Sequence, residues 1–233
     1  MVITDELLTA INSDIDSIIS QYKDVSADQL ANTFGINMTA KNAYSALIGK
    51  LLSSSGSSAF SQLLKDENFV VKTIRLDKYG RLKESMSLPT FKYQDIVTEE
   101  WETCSLREYF SQKVFAFIVF RADGKELFLH NMMIWKMPSN VLETGVRPAW
   151  QSMHELLENG SIVKYIDDAG RYFTFFPSST ENPYVHVRPH AQSRNDTYPL
   201  PVADKLTGLV CYPKHSFWLN RAYVLKIISK EER

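Results

Sequence analysis

The stretch from Asn68 to Leu88, NFVVKTIRLDKYGRLKESMSL, constrains this chain more than any other. Phe69, Val70, Val71, Thr73 and Ile74 are β-branched or aromatic, and an apolar run this short favours a strand. Asp77-Lys78-Tyr79-Gly80 is a turn signal, because Gly80 can take a positive φ. Leu82 to Leu88 then reads as the returning strand. The expectation is a β-hairpin that carries Lys72 on one arm and Lys83 on the other.

The flanking sequence supplies helices and further strands. Ile3, Leu7, Leu8, Ile11, Ile15, Ile18, Ile19 and Tyr22 recur at helical spacing between Asp and Ser residues, which predicts an amphipathic helix. Ser26 reads as the N-cap of a second helix, Ala27 to Phe34, ended by Gly35. Asn42 to Leu52 reads as a third. The run Ser53-Ser54-Ser55-Gly56-Ser57-Ser58 has the composition of a flexible joint. It places a boundary between a helical lobe, 1–57, and the remainder, 58–233.

Beyond the expected hairpin, Tyr93 to Gln112 reads as helix and loop. Lys113 to Phe120, KVFAFIVF, is a buried strand. Asp123-Gly124 marks a turn and Glu126 to Met137 the next strand. A helix opens at Pro138 and Ser139, breaks near Gly145 to Pro148, and closes at Gly160. Tyr172 to Phe176 and Tyr184 to Arg188 read as short strands, and 189–203 as a long loop. Phe217 to Ile228 passes from a strand end into a terminal helix. Helices followed by a mixed sheet with flanking helices define an α/β or α+β class.

Composition narrows the functional classes. At 233 residues and 44% hydrophobic content, a sizeable core is within reach. Two cysteines, Cys104 and Cys211, make no disulfide framework and fit a reducing, cytoplasmic setting. No apolar run approaches the ~18 residues of a membrane span. Net charge is −1, but the charges are unevenly spread. Asp5, Glu6, Asp14, Asp16, Asp24 and Asp28 face only Lys23 at one end. Arg188, Arg194, Lys205, Lys214, Arg221 and Lys226 outnumber Asp196 and Asp204 at the other. Either this is a chance asymmetry of a solvated surface, or the basic end meets a polyanion.

Two stretches carry recognition chemistry. In Val185-His186-Val187-Arg188-Pro189-His190 a strand ends at Arg188, and Pro189 blocks further pairing. Arg188 and His190 are thus presented at a strand-to-loop edge. An Arg fork suits guanine O6 and N7 in a major groove, and suits a structural ion pair equally. His186 and His190 have a metal-ligand spacing, but the intervening residues are strand and Pro, not helix, and only the two distant cysteines could complete a zinc site. In Lys214-His215-Ser216-Phe217-Trp218-Leu219-Asn220-Arg221, bases alternate with aromatics. Phe217 is expected to pack in the core and Trp218 to face the opposite way.

The order of NFVVKT, the LDKYGRLKES turn, Glu99-Glu100-Trp101, HVRPH and SFWLN resembles the MutH family of mismatch-repair and GATC-cutting type II restriction endonucleases. The resemblance covers nearly the whole chain and looks most like the carboxy-terminal half of the restriction enzymes. It implies a restriction-endonuclease-like mixed sheet, with two lobes around a DNA cleft. The family's hairpin carries metal-binding acids and a lysine, since Mg²⁺-dependent phosphodiester hydrolysis needs carboxylate oxygens on the metal. Here the lysine is Lys72, while the acidic positions correspond to Val70, to a residue near Leu63 and to one near Gly49.

The resemblance therefore implies a catalytically inactive, regulatory half that binds GATC and acts with a catalytic MutH-like domain. Mg²⁺ would belong to that catalytic half, with no cofactor on this chain. The family's base-reading loop matches Arg188, Pro189 and His190, and its adenine-contacting Tyr matches Trp218. Its DNA-approaching Lys matches Lys41. Lys72, Lys83, Arg194, Lys214 and Arg221 are the remaining expected phosphate contacts. Two alternatives stay open: an active endonuclease with relocated acids, Glu84 with Asp66, and a module that only dimerises with a catalytic half.

Overall fold

The computed structural model describes residues 5–40, 42–54, 56 and 63–229. Among these the fold is α+β, with small sheets and helices alternating along the chain. Lys41 and most of the Ser-rich joint, including Ser55, Ser57 and Ser58, lie outside the described residues, as does the boundary expected at 57/58.

Residue contacts define two compact units, each built from discontinuous stretches. The first comprises Met1–Lys83, Gln112–Lys136 and Leu225–Arg233. Its helices are α1 (Asp5–Tyr22), α2 (Ala27–Phe34) and α3 (Ala43–Ser53). Ser26 caps α2 with a full capping box: its Oγ accepts from the Gln29 N–H, and the Gln29 side chain accepts from the Ser26 N–H. Gly35 ends the helix at φ 68°.

The sheet of this unit is β1 (Phe69–Leu76) beside β3 (Val114–Asp123) beside β4 (Glu126–Trp135). Strand β3 is buried from Val114 to Phe120, the signature of a central strand covered on both faces. One sheet face, including Ala116, Ile118, Phe120, Leu129 and Met132, packs with Ile11, Ile18, Leu30, Leu47 and Leu51 of the helices. Phe69 and Val71 join this cluster. Residues alternate across a strand, so Val70, Lys72 and Ile74 occupy the other face.

The expected hairpin does not form. The Asp77–Gly80 turn is present, with Gly80 at φ 77° and the Asp77 N–H donating to the Arg81 carbonyl at 3.0 Å. Beyond it, β1 pairs in parallel with β3, Val71 opposite Ala116, and only Leu76 and Leu82 form an isolated bridge. The second arm, β2 (Met86–Phe91), belongs to the second unit and pairs there with another strand. The physical reason is burial: the long apolar run of β3 offers β1 more packing surface than the expected arm Leu82–Leu88 does.

The second unit comprises Glu84–Ser111 and Met137–Val224. After β2 come α4 (Tyr93–Thr98) and α5 (Ser105–Gln112). A helical stretch from Ser139 passes through a π-turn, Leu142–Val146, into α6 (Arg147–Glu158) without the expected break. Pro148 lies just after the π-turn, in the first turn of α6. Two hairpins follow a simple two-strand plan: β5 (Val163–Ile166) with β6 (Tyr172–Thr174), and β8 (Thr197–Pro199) with β9 (Cys211–Pro213). The main sheet of the unit is antiparallel, with β10 (His215–Leu219) between β2 and β7 (Val185–Pro189). A last helix, α7, runs Arg221–Ile228.

Candidate nucleic-acid interface

The two recognition stretches of the sequence are neighbouring strands. In the β7–β10 ladder Arg188 pairs with Ser216, His186 with Trp218, Val187 with Phe217 and Pro189 with His215. Alternation then divides these residues between two faces. Val187, Phe217 and His215 point inward and are buried, while Arg188 is exposed and Trp218 half-buried. The expected opposition of Phe217 and Trp218 is therefore present.

On the outer face Trp218 acts as a platform. The Arg188 guanidinium lies 5.0 Å from its ring centroid, a cation–π contact, and the His190 ring lies 5.6 Å away. His190 Nδ1 is 2.8 Å from Ser216 Oγ, and the His190 N–H donates to the Lys214 carbonyl at 2.8 Å. His190 thus stays on the sheet although Pro189 has ended β7. Arg188 and His190 are exposed, so one half-buried aromatic carries two polar heads directed at solvent. The Trp218 Nε1 atom is buried without a hydrogen-bond partner among the described residues.

A buried polar network adjoins this edge, beginning at His186, the register partner of Trp218 on the same face. His186 Nδ1 donates to Asn220 Oδ1; the roles follow because Asn220 Nδ2 donates to the Asn182 carbonyl at 2.6 Å. Asn182 Oδ1 accepts from the N–H groups of Tyr184 and Val185, and its Nδ2 donates to the Gly145 carbonyl at 2.7 Å. Burial lowers the His186 pKa, which keeps the ring neutral in this network. Gly145 is required in the π-turn, since a Cβ there would stand 2.4 Å from Tyr184 Cδ2. Both histidines with metal-ligand spacing are thus engaged through Nδ1 by Asn220 and Ser216, and among the described residues no three His, Cys, Asp or Glu side chains converge.

The other expected contacts are distributed as follows. Lys214 Nζ is 2.5 Å from Asp196 Oδ1 and 4.7 Å from the Tyr198 ring centroid, so its charge is already matched. The Asp196 partner raises the Lys214 pKa, and Lys214 lowers that of Asp196. Arg194 is exposed and lines a groove together with Val187 and Pro189, which alternate with Arg188 along β7. Arg221 is exposed at the start of α7, its N–H donating to Ser85 Oγ at 3.1 Å.

In the first unit Lys83 is exposed, and Lys72 sits half-buried on β1 opposite Phe117. Burial holds the Lys72 ammonium below the usual lysine range. Of the positions that correspond to catalytic acids, Leu63 is fully buried in the helical cluster and Gly49 lies within α3. Asp66 turns the chain into β1: its Oδ1 accepts from the Asn68 N–H at 2.8 Å, which lowers its pKa. Glu84 is exposed. Ser216, Asn220 and Asn182 were not singled out by sequence. The strand alternation of SFWLN places Ser216 beside Trp218, but only the register with β7 gives it His190.

By sequence, the chain is similar to a type II restriction enzyme. It is 26% identical over 238 residues to the type II restriction enzyme Sau3AI of Staphylococcus aureus, a match that covers 88% of this chain and 48% of that enzyme. The chain thus spans about half the length of the curated relative it matches. No protein-family model matches it. Among the described residues no helix is long and apolar enough to cross a membrane.

Proposed function

We propose that this chain is a MutH-like, GATC-specific domain that binds double-stranded DNA and serves a type II restriction endonuclease as its catalytically silent, regulatory half. The observation that carries the reading is the Arg188–Trp218–His190 group. A planar guanidinium held over an indole is pre-oriented for bidentate contact with guanine O6 and N7. His190, fixed by Ser216, meets a neighbouring base, and Trp218 offers its methine edge to thymine or adenine. Lys41, Lys72, Lys83 and Arg221 meet phosphates and make binding salt-dependent. Lys214 contributes by orienting the loop through Asp196 rather than as a free charge.

Similarity to a type II restriction enzyme across most of this chain supports DNA as the ligand, and the half-length match supports a partner domain that holds the catalytic Mg²⁺. Residue chemistry supports the silence. Val70, two residues before Lys72, offers no oxygen to a metal, and Asp66 already serves its turn. Titration of this chain with GATC and scrambled 20-base-pair duplexes in Mg²⁺, followed by a gel for cleavage, tests the proposal. The expected result is preferential binding of the GATC duplex with no cleavage. Metal-dependent nicking abolished by Glu84→Gln would replace it with the relocated-acid endonuclease.

A further inference from the structure

The second unit carries a groove of about 580 Å³. Its floor is aromatic and buried: Phe176, Tyr212 and His215, whose rings contact one another at 4.9–6.1 Å between centroids. Tyr172 and Phe173 of β6 line it as well, 45% and 39% exposed. Phe173 also stacks on Tyr165 at 4.5 Å and 6°. An isolated hairpin that leaves this much aromatic surface in water is not built for its own stability. Among the described residues, the only charged side chain lining the groove is Arg194, which has no ion-pair partner there, and no carboxylate lines it. Aromatic faces beside an unneutralised guanidinium, with no carboxylate in the lining, favour a flat and anionic occupant over a cationic or aliphatic one.

We propose that this groove binds single-stranded nucleic acid, stacking unpaired bases on Tyr172 and Phe173 and holding the backbone with Arg194. Every base has a π-face, so such a site needs no sequence preference. The groove includes Pro189, which alternates with Arg188 and therefore belongs to the opposite face of the β7–β10 ladder. Single-strand binding is thus separate from the duplex reading and does not rest on it. It gives the domain a place for a displaced or nicked strand while a duplex occupies the Arg188 face.

The test is fluorescence anisotropy of the full chain with a labelled twelve-residue oligothymidylate and with an abasic oligomer of the same length and charge. The thymidylate is expected to bind at least about tenfold more tightly, because stacking of each base contributes roughly a five- to hundredfold factor. Tyr172→Ala and Phe173→Ala should each remove most of that difference while leaving GATC duplex binding unchanged. Arg194→Gln, on an exposed loop, should weaken both oligomers alike. Equal affinity for the two oligomers, or an unchanged preference in both ring variants, overturns the proposal. So does the absence of thymidylate binding, the result expected if the groove takes a polypeptide segment instead; duplex binding in the same preparation shows that the Arg188 reading survives that outcome.

Discussion

The Arg188 guanidinium rests over the face of Trp218, 5.0 Å from the ring centroid, on strands whose register makes Arg188 the partner of Ser216. The contact restricts a long side chain that otherwise loses rotamer entropy on binding. It also leaves the edge of the guanidinium fork open to a ligand. Trp218→Ala is therefore expected to weaken GATC duplex binding by about 1–2 kcal/mol, and Trp218→Tyr by less. Anisotropy titrations of the two variants check this. Equal loss in both would mean that the indole's own edge contact with a base, and not its support of the Arg188 guanidinium, carries the effect.

Lys72 occupies β1 without an ion-pair partner among the described residues, and burial is the cause of its lowered pKa. A depressed native pKa means that folding works against the charged ammonium. The cost is present at neutral pH and is relieved as pH rises through the native pKa. Lys72→Met keeps the length and removes the charge, so urea unfolding at pH 7 should show equal or greater stability. A loss above about 1 kcal/mol would reveal a carboxylate beside Lys72 and would revive a metal site on this strand.

His215 is buried between Tyr212 and Phe176, and burial pushes its pKa down to about 4, against a weaker opposing hydrogen bond to the Pro213 carbonyl. The unfolded chain takes up this proton near pH 6.5, the native protein only near 4. The stability contributed by neutral His215 is therefore full above pH 6.5 and declines as pH falls from there toward 4, by roughly 2–3 kcal/mol. Chemical denaturation between pH 7 and pH 4 should show this decline, and His215→Phe should flatten it. An unchanged slope in the variant would assign the decline to other groups.

Local chemistry was legible in the sequence, and long-range pairing was not. Ser26 and Gly35 announced the ends of α2, the apolar run after Lys113 announced β3, and Asp77–Gly80 announced a turn. These features depend on residues within a few positions of one another. The partner of β1 depended on which distant strand buried it best, and β3 lies some 40 residues away. The strands β5, β8 and β9 escaped notice because each is short and much of it exposed, so no apolar run marked it. The candidate site divided in the same way. HVRPH and SFWLN each stood out, but the strand does not end at Arg188 as expected: Pro189 pairs with His215 and the His190 N–H still donates to the Lys214 carbonyl. Their register, and hence Ser216 under His190, came only from the β7–β10 ladder.

In the proposed reading Arg188 recognises guanine from its place on Trp218. The most direct measurement is the ratio of affinities for GATC and scrambled duplexes, taken at one salt concentration for the wild type and for Arg188→Ala. The ratio is expected to fall by about 1–3 kcal/mol, with little change in the affinity for scrambled DNA. A ratio that stays the same while both affinities fall together would make Arg188 a phosphate contact and contradict the assignment.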